Sequence, residues 1–213
     1  MFLTDISTSN FFAHLLIVLK EWDTWLLLKI NTQWTCPFLN SLMPIWRNQN
    51  TWLPLYVFLL VFMLLNFGWR SWPWIICFIA TVGLCDQVSS GILKDWVNRP
   101  RPCNDADLAQ HINFLLNYRP TGGSFTSSHA TNHFGMAIFV YQTLKTYFKN
   151  WTYLFFFWAA SISYAQVYVG VHFPLDIICG AVLGCLLGSL VAYIFKRWIG
   201  LPAILQEQTT TAL

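Results

Sequence analysis

The run HFPLDIICGAVLGCLLGSLVAYIF, residues His172 to Phe195, decides the fold class. Pro174 suits the first turn of a helix, and no charge follows between Ile177 and Phe195. A helix of that length reaches about 30 Å, the hydrocarbon thickness of a bilayer. Gly180, Gly184 and Gly188 recur every fourth position and form a stripe of small residues. Such a stripe lets a neighbouring helix approach closely. Asp176 continues the stripe, so its carboxylate is expected to face other helices rather than lipid. Ionisable groups at membrane depth are costly and are usually kept for a function.

Working outward, four more runs are long enough, or nearly so, to span as helices: 51–67, 72–93, 129–148 and 151–171. The stretch 11–30 is also apolar but is broken by Lys20, Glu21 and Asp23. Charges there argue for one or two amphipathic helices on the membrane surface, with a sixth span as the alternative. The chain has 213 residues, 56% hydrophobic and only 10% charged, against about a quarter charged in soluble domains. The expected fold is therefore an all-α integral membrane helical bundle of five to six spans. It divides into an N-terminal amphipathic segment (1–50), a membrane domain (51–198) and a polar tail (199–213).

Trp52, Trp69, Trp72, Trp74, Trp96, Trp151 and Trp198 lie near the ends of these runs, where amphipathic rings favour the headgroup layer. The net charge of +3 and the lack of a long basic block give no reason to expect nucleic acid as a partner. No basic region precedes the first apolar stretch, so no cleavable signal peptide is expected. The cysteines show no CxxC pairing; Cys36 and Cys103, outside the runs, could pair, but their spacing does not argue for it.

Counting spans brings three segments to one face. The second run ends at Lys94 and the third begins near His129; the third crosses away and the fourth returns near Gly170. Lys94 to Arg101, Ser127 to His129 and His172 to Asp176 therefore meet. Arg70, Lys145, Lys149, Lys196 and Arg197 fall on the opposite face, and Lys20, Lys29, Arg47, Lys94, Arg99, Arg101 and Arg119 on the site face. That balance does not orient the protein by the positive-inside rule.

Each segment has a chemical and a plainer reading. Lys94, Arg99 and Arg101 are cations at a helix end, suited to a phosphate or to anionic headgroups. Gly122 to His129 places small residues before a helix N-terminus, where backbone N–H groups and the dipole attract anions. Ser127 could donate to a phosphate oxygen and His129 could protonate a leaving alkoxide; the alternative is a plain serine cap. Asp176 follows His172 by four residues, a spacing that lets a carboxylate fix an imidazole's tautomer. His129 and His133 have zinc-like spacing, with His111, Asp105 or Asp107 as a third ligand, but no HExxH or cysteine set accompanies them. Asp86 and Gln87, inside the second run, read equally as functional groups or as an interhelical link.

Together the segments resemble the type 2 phosphatidic acid phosphatase (PAP2) family, whose pattern is Lys-x6-Arg-Pro, Pro-Ser-Gly-His, then Ser-Arg-x5-His-x3-Asp. Lys94 to Arg101-Pro102 matches the first part in full. Thr126-Ser127-Ser128-His129 matches the second at serine and histidine, and Ala165-Gln166 through His172 to Asp176 matches the third at histidine and aspartate. The wording around His172 is similar to bacterial members. The resemblance implies a PAP2/haloperoxidase-like core and hydrolysis of a lipid phosphate monoester or pyrophosphate, such as phosphatidic acid or an isoprenoid pyrophosphate. The catalytic residues would be His172 as nucleophile, Asp176 as its orienter and His129 as general acid and base. Lys94, Arg101, Ser127, Ser128 and Gln166 would hold the phosphate, with no cofactor and no metal. It further implies a multi-pass protein of the bacterial inner (cytoplasmic) membrane, its site facing the periplasm or the outside, with membrane lipids and a lipid phosphate as partners.

Two departures stand out. Gln166 replaces the family's third-motif arginine, which could weaken transition-state binding by about 2–4 kcal/mol unless Arg99 or Arg119 compensates. Ser128 replaces a glycine and is tolerable only where no positive φ is needed. Gln166 also keeps open a non-catalytic lipid-phosphate binding or transport protein, and the shared anion site a haloperoxidase-like activity.

Overall fold

The computed structural model describes residues 4–201. The end of the expected polar tail, 202–213, lies outside the described residues. Among the described residues, eight α-helices follow in order: α1 Thr4–Leu28, α2 Pro37–Trp46, α3 Leu53–Phe67, α4 Trp72–Asp86, α5 Lys94–Val97, α6 Ser128–Phe148, α7 Tyr153–Tyr168 and α8 Pro174–Trp198. No strand occurs among the described residues.

Local chemistry sets the boundaries. Prolines open α2, α3, α4 and α8 in their first turns, where the missing N–H costs nothing. Gly68, at φ 58°, closes α3. Ser127 caps α6 by accepting from Ala130 N. At the start of α8, Asp176 accepts from Phe173 N at 2.9 Å, and Lys196 and Arg197 sit in the last turn, where the helix dipole favours them. Helix α4 continues through a π-helical segment, Gln87–Leu93, into α5. Asn98, in the left-handed conformation, then ends it ahead of Pro100. The run expected at 72–93 is thus one helical rod with a π segment beside the site.

Helix α6 is central, packed by α4, α7 and most extensively by α8. The glycine stripe makes that closest contact. A Cβ at Gly180 would come 2.8 Å from Ser127 O, and one at Gly184 would overlap Thr131 O. On the other side of α8, Ile178, Val182, Leu186, Leu190 and Ile194 are exposed. A small-residue face inward and a continuous apolar face outward is the pattern of a helix packed in a bilayer. Gly184→Ala is expected to lower the thermal midpoint in detergent by an amount equivalent to about 1–3 kcal/mol, because backbone must move to admit the methyl. Gly83→Ala is the control, since nothing lies within 4 Å of its added Cβ.

Two stretches among the described residues are long and apolar enough to cross a membrane: Gln49–Asn104, which holds α3 and α4, and Pro174–Trp198. The other expected spans fall short for physical reasons. Helix α6 buries Thr131, His133 and Thr143 among its neighbours, so it need not be apolar all round, and α7 has 16 residues. The 11–30 stretch also differs from expectation. It is helical, through α1 to Leu28 and then in a π-helical segment Lys29–Gln33, but Asp23 is fully buried, not on the surface, because Arg99 and Leu175 N occupy its two oxygens. Among the tryptophans, Trp69, Trp96, Trp151 and Trp198 are exposed as an interfacial role requires, but Trp74 is in the core, its N–H donating to Thr143 Oγ1 at 2.8 Å. All six cysteines, Cys36 and Cys103 included, are free.

Candidate active site

Backbone bonds stitch the three segments together. Ser124 N donates to Arg99 O at 2.8 Å, fixing the glycine-rich loop to the basic one. Gly123 lets them touch, since a Cβ there would stand 3.0 Å from Lys94 O. Ser127 N donates to Asp176 O at 3.1 Å, joining the start of α6 to that of α8. Ser128 does not adopt a positive φ; among the described residues the non-glycine ones that do are Asn98 and Lys149. The glycine of the related motif is therefore dispensable here.

His172, between α7 and α8, is buried. Arg101 Nη1 lies 3.2 Å from its Nε2. A guanidinium only donates, so Nε2 carries the lone pair and the ring proton sits on Nδ1, facing Asp176 Oδ2 at 3.5 Å. That separation is longer than a hydrogen bond, and Nδ1 makes none. Burial lowers the His172 pKa to about 4, with Asp176 opposing the shift and Arg101 and Lys94 adding to it. The shift favours the neutral imidazole, which keeps a lone pair on Nε2. Behind it, Asp176 Oδ1 accepts from Arg99 Nη1 at 2.9 Å, and Arg99 Nη2 donates to Asp23 Oδ2 at 2.7 Å. The Arg99 guanidinium also lies 3.7 Å from the centre of the Phe173 ring. Arg99 therefore braces the carboxylate behind His172.

On the other side, Lys94 Nζ donates to Ser128 Oγ at 2.6 Å, and Ser128 Oγ is also 2.7 Å from Ser90 Oγ. Ser90 donates to Asp86 Oδ1, so the carboxylate inside the second run orders the lysine's partners. Ser127 is buried, and its hydroxyl oxygen accepts from Ala130 N at 3.4 Å, which leaves its O–H to donate. His129 lines a cleft of 510 Å³ with Arg47, Asn48, Gln49, Tyr118 and others. His133 is bonded through Nδ1 to His129 O and packs edge-on against Trp158. Among the described residues no three His, Cys, Asp or Glu side chains gather as a metal group.

Gln166 is fully buried on α7. Its Oε1 accepts from Arg47 Nε at 3.0 Å, and its Nε2 has no partner among the described residues. Its backbone O accepts from Val171 N, directly before His172. Neither Arg99 nor Arg119 reaches it. Arg99 is bonded to the two aspartates, and Arg119 Nη1 donates to Cys103 O at 2.6 Å. Sequence reasoning missed Asp23 and Arg47. Their signals were present: carboxylates in an apolar run, and an arginine at a helix end between Trp46 and Trp52.

Residues 72–199 match the family model of the PAP2 superfamily. The chain is 33% identical over 194 residues to a lipid A 4'-phosphatase of Bacteroides thetaiotaomicron, covering 90% of this chain and 83% of the relative. It is 32% identical over 128 residues to a lipid A 4'-phosphatase of Porphyromonas gingivalis, covering 57% and 52%. Among solved structures, Aquifex aeolicus LpxE superposes with a TM-score of 0.56 at 26% identity, over 79% of this chain and 93% of that one. A transmembrane PAP2-type phosphatidylglycerolphosphate phosphatase of Bacillus subtilis gives 0.65 at 24% identity, over 91% and 96%.

Proposed function

Because the chain belongs to the PAP2 superfamily, a family of phosphatases, we propose that it hydrolyses a phosphate monoester on a membrane lipid through a phosphohistidine on His172. The observation that carries this reading is the Arg101–His172–Asp176 line. A cation stands on the nucleophilic nitrogen and a carboxylate on the opposite one. An incoming phosphate takes Arg101's donors and leaves Nε2 facing phosphorus. Nε2 attacks, the P–O bond to the lipid breaks, and His129 gives its proton to the leaving oxygen. Water activated by His129 then attacks phosphorus and releases His172. Lys94, Arg101, Ser128 and the N–H groups opening α6 stabilise the charge on the phosphoryl oxygens, so no metal is required.

The preferred substrate is lipid A or a similar saccharolipid bearing its 4'-phosphate, after the Bacteroides relative. An apolar groove of 560 Å³ between α3 and α7 supports an amphiphilic substrate: Trp46 lines the groove, and the next residue, Arg47, lines the polar cleft. The enzyme would span the bacterial inner membrane with its site at the periplasmic surface.

The test is phosphate release by purified protein in detergent with chelator present. Lipid A, phosphatidic acid and undecaprenyl diphosphate are compared. Release is expected from lipid A above the other two. Release only from undecaprenyl diphosphate would move the substrate class, and release that chelator abolishes would overturn the metal-free mechanism.

A further inference from the structure

We propose that Arg47, on the cap of α2, is a phosphate-binding residue that replaces in space the arginine absent at position 166. The inference rests on the phosphatase reading above. It starts from a buried charge. Arg47 is 8% exposed, and it lies outside the segment, 72–199, that matches the family model. A buried guanidinium is costly unless each donor is used. Two are: Nε donates to Gln166 Oε1 and Nη1 to the Tyr118 hydroxyl, both at 3.0 Å. Neither partner is a carboxylate, so its charge has no counterion among these bonds. Its Nη2 takes no bond among the described residues. The guanidinium opens onto the cleft that His129 also lines. A cation without an anion, at the edge of a cleft shared with the general acid, has the place of an anion-binding group.

The neighbours hold it there. Trp46 N–H donates to Ser161 Oγ at 2.9 Å, pinning the end of α2 to α7. Trp52 N–H donates to Trp46 O at 2.8 Å and closes the turn after it. Gln166 is fully buried on α7 and anchors Val171 N through its backbone, so Arg47 and His172 are referred to one rigid element. An amide at 166 accepts from a guanidinium where an arginine would repel it. The pair Arg47 and Gln166 thus delivers from α2, across 119 residues of sequence, the planar fork that the third motif elsewhere carries itself. Gln166 Nε2, buried and unbonded, adds a neutral donor beside it.

The experiment is an exchange of the two side chains, read by kcat, KM and inhibition by orthovanadate, a phosphate mimic that needs no lipid. His172→Ala accompanies it. Arg47→Gln is expected to lower kcat/KM by about 10²–10³-fold, the usual loss on removing one oxyanion donor, and to weaken vanadate inhibition. Gln166→Arg should also lose activity, because two guanidinium groups would then share one buried site. The double variant Arg47→Gln/Gln166→Arg should recover at least tenfold over Arg47→Gln. Arg47→Lys, which keeps charge and loses the fork, should fall between and serves if Arg47→Gln does not yield folded protein. Undiminished activity and vanadate inhibition in Arg47→Gln or Arg47→Lys, with His172→Ala inactive, would overturn this inference alone. Strictly additive losses in the double variant would overturn it too. Full activity in His172→Ala would instead overturn the phosphohistidine on His172, and no phosphate release by the wild-type protein would overturn the phosphatase reading beneath it.

Discussion

His172→Ala is expected to reduce lipid phosphate hydrolysis by roughly 10⁴-fold or more, as removal of a covalent nucleophile does when no other group can take its place. None can here. The groups closest to His172 are Arg101, which has no lone pair to give, and Asp176, whose oxygens are held by Arg99 and Phe173 N. With labelled substrate and a quench that avoids acid, the wild-type protein should carry phosphate on His172 and the variant none. His129→Ala should behave differently. General acid assistance is worth about 10²–10⁴-fold for a poor alkoxide leaving group and little for an aryl phosphate. Equal losses on lipid and aryl substrates would remove His129 from the leaving-group role. An aryl phosphatase activity that survives His172→Ala would remove the phosphohistidine.

Groups within one helical turn, or within one motif, were legible in the sequence. The His172 to Asp176 spacing, the Ser127 cap and the glycine stripe are local patterns whose geometry follows from 3.6 residues per turn. The meeting of the three segments was legible too, because alternate crossings of a bilayer leave little freedom. What stayed hidden were long-range pairs made by buried arginines. Arg99 meets Asp23 across 76 residues and Arg47 meets Gln166 across 119. Asp23 looked like a surface charge because periodicity cannot show that an arginine and a backbone N–H wait for it. The loss at position 166 was visible, but its replacement came from a helix that no motif covers. Trp74 misled for the opposite reason: being near the end of an apolar run does not fix which side of the helix faces the bundle.

The hidden pairs bear directly on Asp176→Asn. The substitution keeps the size of the side chain and reverses what it can offer. The carboxylate accepts from Arg99 and from Phe173 N and faces the His172 Nδ1 proton. An amide has one accepting atom, which Arg99 will claim, and turns its NH₂ toward Phe173 N–H and His172. Donor then meets donor. The imidazole relieves this by moving its proton to Nε2, so that Nδ1 accepts from the amide. The nucleophilic lone pair is thereby lost from the atom that faces phosphorus. A carboxylate-to-amide change behind a catalytic histidine costs about 10⁴-fold in kcat by this route, and that loss is expected here with KM little changed. Asp23→Asn is the discriminating comparison. It weakens the same arginine one step further from the chemistry and leaves the Asp176 charge intact. It should lower the melting temperature while reducing kcat far less. If both variants lost kcat alike, Asp176 would be acting as one more brace in an ion-pair chain. A large excess loss at Asp176 would show that it fixes which nitrogen of His172 can attack.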